Sequence, residues 1–250
     1  LGKRLGSRYS YKLDSSFVEH NPSLAINWRI KRKLARTSNM VNKVYCDTAK
    51  SFNKWALTKN ILSGDVIFGF NGGSADVFMK SNHNGVLNIL DQTLAARPVM
   101  KESMKHIINK YGNYQSNYFI ENSRDPRHER EIIEWEYADK ILCPSKFVED
   151  SLISMGVSNN KTIICPYGVE MDDTQNKQKD ISDKNFLNIL FVGEVGLRKG
   201  APYLIEAVKR IQKHRNVRCT FVGPVVMELE DLIGDNNNIK IVGSVPRPEV

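Results

Sequence analysis

Apolar positions change their spacing along the chain. Between residues 23 and 44, Ile26, Ile30 and Leu34 recur every four residues among Arg29, Lys31, Arg32, Lys33 and Arg36, the spacing of an amphipathic helix with a strongly basic side. From residue 64 the rhythm shortens. "GDVIFGF" reads as a short buried strand, "NGGSA" as a loop, "DVFMKSNH" as a helix and "VLNIL" as a second strand. Further helices are predicted near 99–111 and 127–138, the latter opened by Asp125 as cap and Pro126 at the first helical position. "KILCPS" (140–145), a helical "KFVEDSLISMG" and "TIICPYG" (162–168) add another strand–helix–strand unit. Strands alternating with helices in this way indicate parallel β-α-β units and an α/β fold.

The stretch from 170 to 185, "EMDDTQNKQKDISDKN", is polar throughout and reads as an interdomain linker or an exposed crossing loop. Beyond it, "LNILFVG", "VRCTFVG" and "IKIVG" are three apolar runs closed by Gly193, Gly223 and Gly243, with helices predicted at 201–213 and near 227–233. In an open parallel sheet, ligands sit at the carboxyl ends of the strands, and all three glycines lie at that edge.

Composition narrows the chemistry. The 250 residues carry a formal charge of +8, which favours anionic partners: nucleic acid, acidic headgroups or phosphorylated small molecules. Aromatics do not interleave with the basic residues as on a single-strand platform, and no nucleic-acid motif is present, so nucleic acid is not expected. Cys46, Cys143, Cys165 and Cys219 are widely spaced and read as buried free thiols, and the five histidines show no metal-ligand spacing. A bound metal is not expected. No apolar run approaches the roughly 20 residues of a membrane span, and the basic start, "LGKRLGSRYSYKLDSS", lacks the apolar core of a signal peptide. The basic helix is either a solvated face or a patch that rests on an anionic membrane.

The segment "FVGEVGLRKG" (191–200) carries the most specific chemistry. A strand ends at Gly193, where a side chain would block a ligand, and Arg198, Lys199 and Gly200 precede the helix "APYLIEAVKRIQK". Free N–H groups at a helix start favour an anion, Arg198 can fork onto two phosphate oxygens and Lys199 adds a point charge. The residues alone are compatible with a diphosphate site or with a solvated basic loop.

"FVGEVGLRKGAPYLIEAVKRI" resembles the diphosphate-binding segment of retaining glycosyltransferases of the GT-B fold, the group 1 or family four enzymes. "YADKILCPSKFVEDSLISMGVSNNKTIICPYGVE" (137–170) is similar to the strand–helix–strand that precedes the interdomain crossing in the same family. The resemblance covers residues 64–250 and only poorly the first 60. It implies two Rossmann-like domains: an acceptor-side unit at 1–168 without its first strand, a linker at 169–186, and an incomplete nucleotide-sugar-binding unit at 187–250. It implies transfer of a sugar from a nucleotide-sugar donor to a hydroxyl of a carbohydrate or lipid-linked acceptor, with retention and without a metal or other cofactor. It also implies a cytoplasmic enzyme, with the basic helix offering peripheral contact at the inner face of an anionic membrane. A non-catalytic nucleotide-sugar or polyanion binder and a sugar-nucleotide epimerase are the alternatives.

Carried over by position, Arg198 and Lys199 hold the diphosphate, Gly193 and Gly200 shape its approach, and Gly223 with Pro224 line the nucleotide side. Three departures stand out. Glu194 replaces the usual Arg after the first glycine, leaving that duty to Arg198. Asp91 and Gln92 stand where the family commonly places a His near the transferred sugar. The family's Glu-x7-Glu segment does not occur before the sequence ends at "GSVPRPEV", so the resemblance implies an internal piece of a longer enzyme that is inactive by itself.

Overall fold

The computed structural model describes residues 16, 18–115, 125–168 and 185–246. Most of the polar stretch read as a linker lies outside the described residues.

The basic segment forms two helices rather than one. α1 (Pro22–Leu34) ends at Ala35, and α2 (Ser38–Ala56) starts afresh because the Thr37 side chain accepts the Met40 N–H at 3.2 Å, an N-cap inside the predicted single helix. α1 buries no residue fully. Its Trp28 ring lies 6.2 Å from that of Tyr45 on α2, while Ile26, Ile30 and Leu34 face outward at 54, 56 and 66% exposure.

A first parallel sheet follows in the order β1 (Val66–Phe70), β2 (Leu87–Asp91), β3 (Lys140–Cys143) and β4 (Thr162–Ile164). β4 is shorter than the predicted run, ending before Cys165. That thiol is exposed, which corrects the reading of all four cysteines as buried; Cys46, Cys143 and Cys219 are buried, and all four are free. α3 (Ala75–Ser81), α5 (Pro126–Tyr137) and α6 (Lys146–Ser154) cover one face of this sheet, where Phe78, Leu90, Trp135, Ile141 and Leu152 form the core. Asp125 and Ser145 cap α5 and α6 through the N–H groups of Arg127 and Val148. No helix among the described residues covers the other face, and Val66, Phe68 and Phe70 of β1 are all exposed there.

The second parallel sheet is β5 (Leu187–Val192), β6 (Val217–Val222) and β7 (Ile239–Gly243), with α7 (Ala201–Ile211) packed on it through Ala201, Ile205 and Val208 at helical spacing. The predicted helix near 227–233 is a single turn, α8 (Glu230–Ile233). Leu190 and Val192 are exposed on the opposite face.

α4 (Arg97–Tyr111) ties the two sheets together. It leaves the first sheet after β2, yet Ile107 and Tyr111 sit in the core of the second, and Lys110 bonds Glu206 of α7 at 2.9 Å.

Candidate functional site

The edge formed by the ends of β5 and β6 is shaped by two glycines with different tasks. Gly193 takes φ 137°, a conformation side-chain-bearing residues rarely adopt, and a Cβ there would project into open space. Gly223 takes φ 141°, and a Cβ there would lie 1.9 Å from the Gly193 carbonyl oxygen. Gly223 thus lets the strand ends lie against each other, while Gly193 keeps the front of the edge clear. The two loops then run on in parallel: the Val195 N–H donates to the Pro224 carbonyl at 2.8 Å, and the Val226 N–H to that of Val195 at 3.1 Å.

Gly196 lies in the tightest part of the loop, where a Cβ would come within 2.6 Å of Val226 Cγ2 and 3.0 Å of Gln115 Oε1. Gln115 Oε1 accepts the Leu197 N–H at 2.9 Å, and the Leu197 side chain is buried. With that residue anchored inside, the single 3-10 turn Leu197–Lys199 leaves Arg198 and Lys199 exposed. Neither makes an ion pair among the described residues. Gly200, at φ 74°, closes the turn and opens α7 by accepting the Tyr203 and Leu204 N–H groups. Cations and a helix start are therefore presented together at the sheet edge, a combination suited to an oxyanion. Glu194 stands half-buried between Gly193 and Val195.

At the corresponding edge of the first sheet, Asp91 and Gln92 part company. Asp91 is half-buried and lies 3.4 Å from the Tyr167 hydroxyl, which donates to it. Gln92 is fully buried; its carbonyl accepts the Trp135 indole N–H at 2.9 Å and its amide donates to the Leu94 carbonyl at 2.8 Å. Its polar groups brace the core beneath the edge, whereas Asp91 is partly exposed there.

Above the ends of β1 and β2 lies a cleft of about 820 Å³, roofed by α1 and α2 and floored by Asn71–Gly73, Thr93 and the first turns of α4 and α5. Its residues were not singled out by the sequence. Arg97, Arg127, Arg130 and Glu131 line it together with Trp28, Tyr45, Phe52 and Trp55, and the Arg127 guanidinium lies over the Tyr45 ring at 5.5 Å. The charged side exists because α5 buries Arg130, Glu131 and Glu134 while Ile132 is exposed. Glu134 accepts the Gly72 and Ser74 N–H groups at 2.6 and 2.7 Å, filling the loop at the start of α3 with the protein's own carboxylate. Burial raises its pKa, against the pull of those hydrogen bonds.

No protein-family model and no curated protein matches the sequence. Among solved structures, the apo form of the lipopolysaccharide outer core galactosyltransferase WaaB is similar at a TM-score of 0.50 and 13% identity, covering 85% of this chain and 51% of that one. The fold is of the GT-B type. Anabaena HepE in complex with UDP and glucose (TM-score 0.45, 13% identity, 80% of this chain and 52% of that one) and a UDP-N-acetylglucosamine 2-epimerase from Listeria monocytogenes (0.44, 14%, 84% and 53%) match at lower scores. The chain spans about half the length of these structures.

Proposed function

We infer that the chain belongs to a glycosyltransferase that moves a sugar from a nucleotide-sugar donor to an acceptor hydroxyl with retention of anomeric configuration. The observation that carries this is the edge of the second sheet, where Gly193 keeps space open in front of exposed Arg198 and Lys199 at the start of α7. Cleavage of the bond between sugar and diphosphate builds negative charge on the departing oxygens. Fixed guanidinium, ammonium and helix-start N–H groups stabilise that charge without a metal ion. The GT-B fold shared with the galactosyltransferase WaaB supports the same reading.

In this scheme the donor sits at the second sheet, with Gly200 shaping the turn and Gly223 and Pro224 lining the nucleotide side. The acceptor, a carbohydrate or lipid-linked molecule, sits at the first, where Asp91 reaches its hydroxyls. The outward stripe of Ile26, Ile30 and Leu34, interspersed with Arg29 and Lys33, supports peripheral contact of α1 with an anionic membrane at the cytoplasmic face. No helix among the described residues is long and apolar enough to cross a membrane.

The test is incubation of the protein with a panel of nucleotide sugars, followed by NMR of the products. A glycoside with the donor's anomeric configuration supports the proposal. Inversion at the anomeric carbon contradicts retention, and an epimerised nucleotide sugar without transfer replaces the reading with that of an epimerase.

A further inference from the structure

The cleft under α1 gathers more cationic than anionic groups. Arg97 and Arg127 come from the starts of two different helices, and both turn to the single carboxylate of Asp125, with Nε distances of 3.1 and 3.8 Å; Lys101 reaches the same carboxylate at 3.7 Å. Arg130, 5% exposed, gives one terminal nitrogen to Asp76 at 2.9 Å. The Nε–H groups of both Arg127 and Arg130 are buried and have no hydrogen-bond partner among the described residues, although the Arg127 guanidinium lies over the Tyr45 ring at 5.5 Å. Glu19 at the rim is paired with Lys59. Glu131, the remaining acid, is pushed by burial up to about 7, so it is partly protonated near neutrality.

Guanidinium N–H groups buried without acceptors are costly unless a ligand brings the acceptors. Their planar forks match phosphate oxygens. The same cleft is lined by Trp28, Tyr45, Phe52 and Trp55, aromatic surface that suits an apolar or sugar-like portion joined to the anion. We propose that this cleft binds a phosphate or diphosphate group of the acceptor through Arg97, Arg127 and Arg130. Assignment of that anion to the acceptor rests on the glycosyltransferase reading; the affinity of the cleft for phosphate does not. The phosphate belongs either to a soluble acceptor or to a lipid headgroup brought alongside by α1, whose Leu24, Ala25 and Trp28 line the same cleft.

Two of the chain's three tryptophans, Trp28 and Trp55, line the cleft and report its occupancy by fluorescence. The titration is run in an Arg198→Ala, Lys199→Ala background, so that anions held at the second sheet do not contribute. Inorganic pyrophosphate is the soluble probe, and phosphatidylcholine vesicles containing phosphatidic acid are the lipid probe. A saturable change with pyrophosphate, weakened about tenfold or more by Arg127→Gln and less by Arg127→Lys, supports a phosphate site open to soluble ligands. A response to the vesicles alone that depends on the same arginine supports a lipid source. Arg97→Gln gives a second reading if Arg127→Gln fails to reach the native circular dichroism spectrum. No saturable response to either probe, or responses unchanged in the folded arginine variants, would overturn the proposal. A nucleoside diphosphate titration of the unsubstituted chain, repeated with Arg198→Ala, tests the donor reading separately, so the two can fail independently.

Discussion

The Gln115 side-chain carbonyl holds the Leu197 N–H at 2.9 Å across 82 residues of sequence. One hydrogen bond thus fixes the loop that presents Arg198 and Lys199 to the segment just after α4. Removing it leaves a buried N–H unpaired, a cost of about 1–3 kcal/mol. Gln115→Ala should therefore weaken nucleoside diphosphate binding by about tenfold, the equivalent of about 1.4 kcal/mol, with both sheets retained. Calorimetric titration measures it; unchanged affinity would mean that the loop keeps its shape without Gln115.

α4 belongs to the second core as much as to the first unit. Ile107→Ala removes a buried side chain from the cluster around Phe221 and should cost about 2–5 kcal/mol. Hydrogen exchange should then show protection lost across β5–β7 while β1–β3 keep theirs. Equal loss in both sheets would show that they unfold as one unit.

Much of the architecture was readable from the chain, for identifiable reasons. Each strand of the second sheet is a short apolar run closed by glycine, and the caps at Asp125 and Ser145 sit where side-chain oxygens precede helical spacing. The break at Thr37 was missed because apolar periodicity continues across it, although Thr followed three residues later by Met40 is compatible with a cap. The cleft was missed because the buried side of α5 carries charge: Arg130, Glu131 and Glu134 are buried beside Trp135 while Ile132 is exposed, which a reading by hydrophobicity does not anticipate. Gln92 was legible as a polar residue at a strand end, but its engagement by Trp135 depends on a partner 43 residues away.

Glu131 gives the molecule a pH signature. It is 2% exposed; burial dominates its raised pKa, opposed by the charge and backbone N–H of Arg97 and reinforced by Glu134 and Asp125, with His128 Nδ1 at 3.4 Å. Its folded pKa of about 7 lies above the ordinary 4.5, so the native state holds the extra proton between those values. The stability contributed by this group falls as pH rises through that window. Glu131→Gln should melt several degrees above the unsubstituted chain at pH 8 and nearly with it at pH 5, at roughly 2–4 °C per kcal/mol. Thermal denaturation at the two values checks this; a larger gain at pH 5 would reverse the sign.

Among the described residues, each parallel sheet carries helices on one face only, whereas parallel strands normally carry them on both sides. Phe68 and Leu190, midway along the edge strands β1 and β5, are 52 and 61% exposed on those faces. The chain expressed by itself should self-associate, and Phe68→Lys with Leu190→Lys should shift it toward monomer. Sedimentation velocity distinguishes the two; an unchanged distribution would show that association, if present, uses another surface.

The donor site is tested most directly by titrating the chain with a nucleoside diphosphate and repeating the titration with Arg198→Ala and Lys199→Ala. Loss of one charge-assisted contact of about 1.5–3 kcal/mol should weaken binding by roughly tenfold to a hundredfold in each variant, with the circular dichroism spectrum unchanged. Saturable binding with that loss is the expected result. Equal affinity in the unsubstituted chain and both variants, or no binding at all, would contradict the assignment of the β5–α7 loop as the diphosphate site.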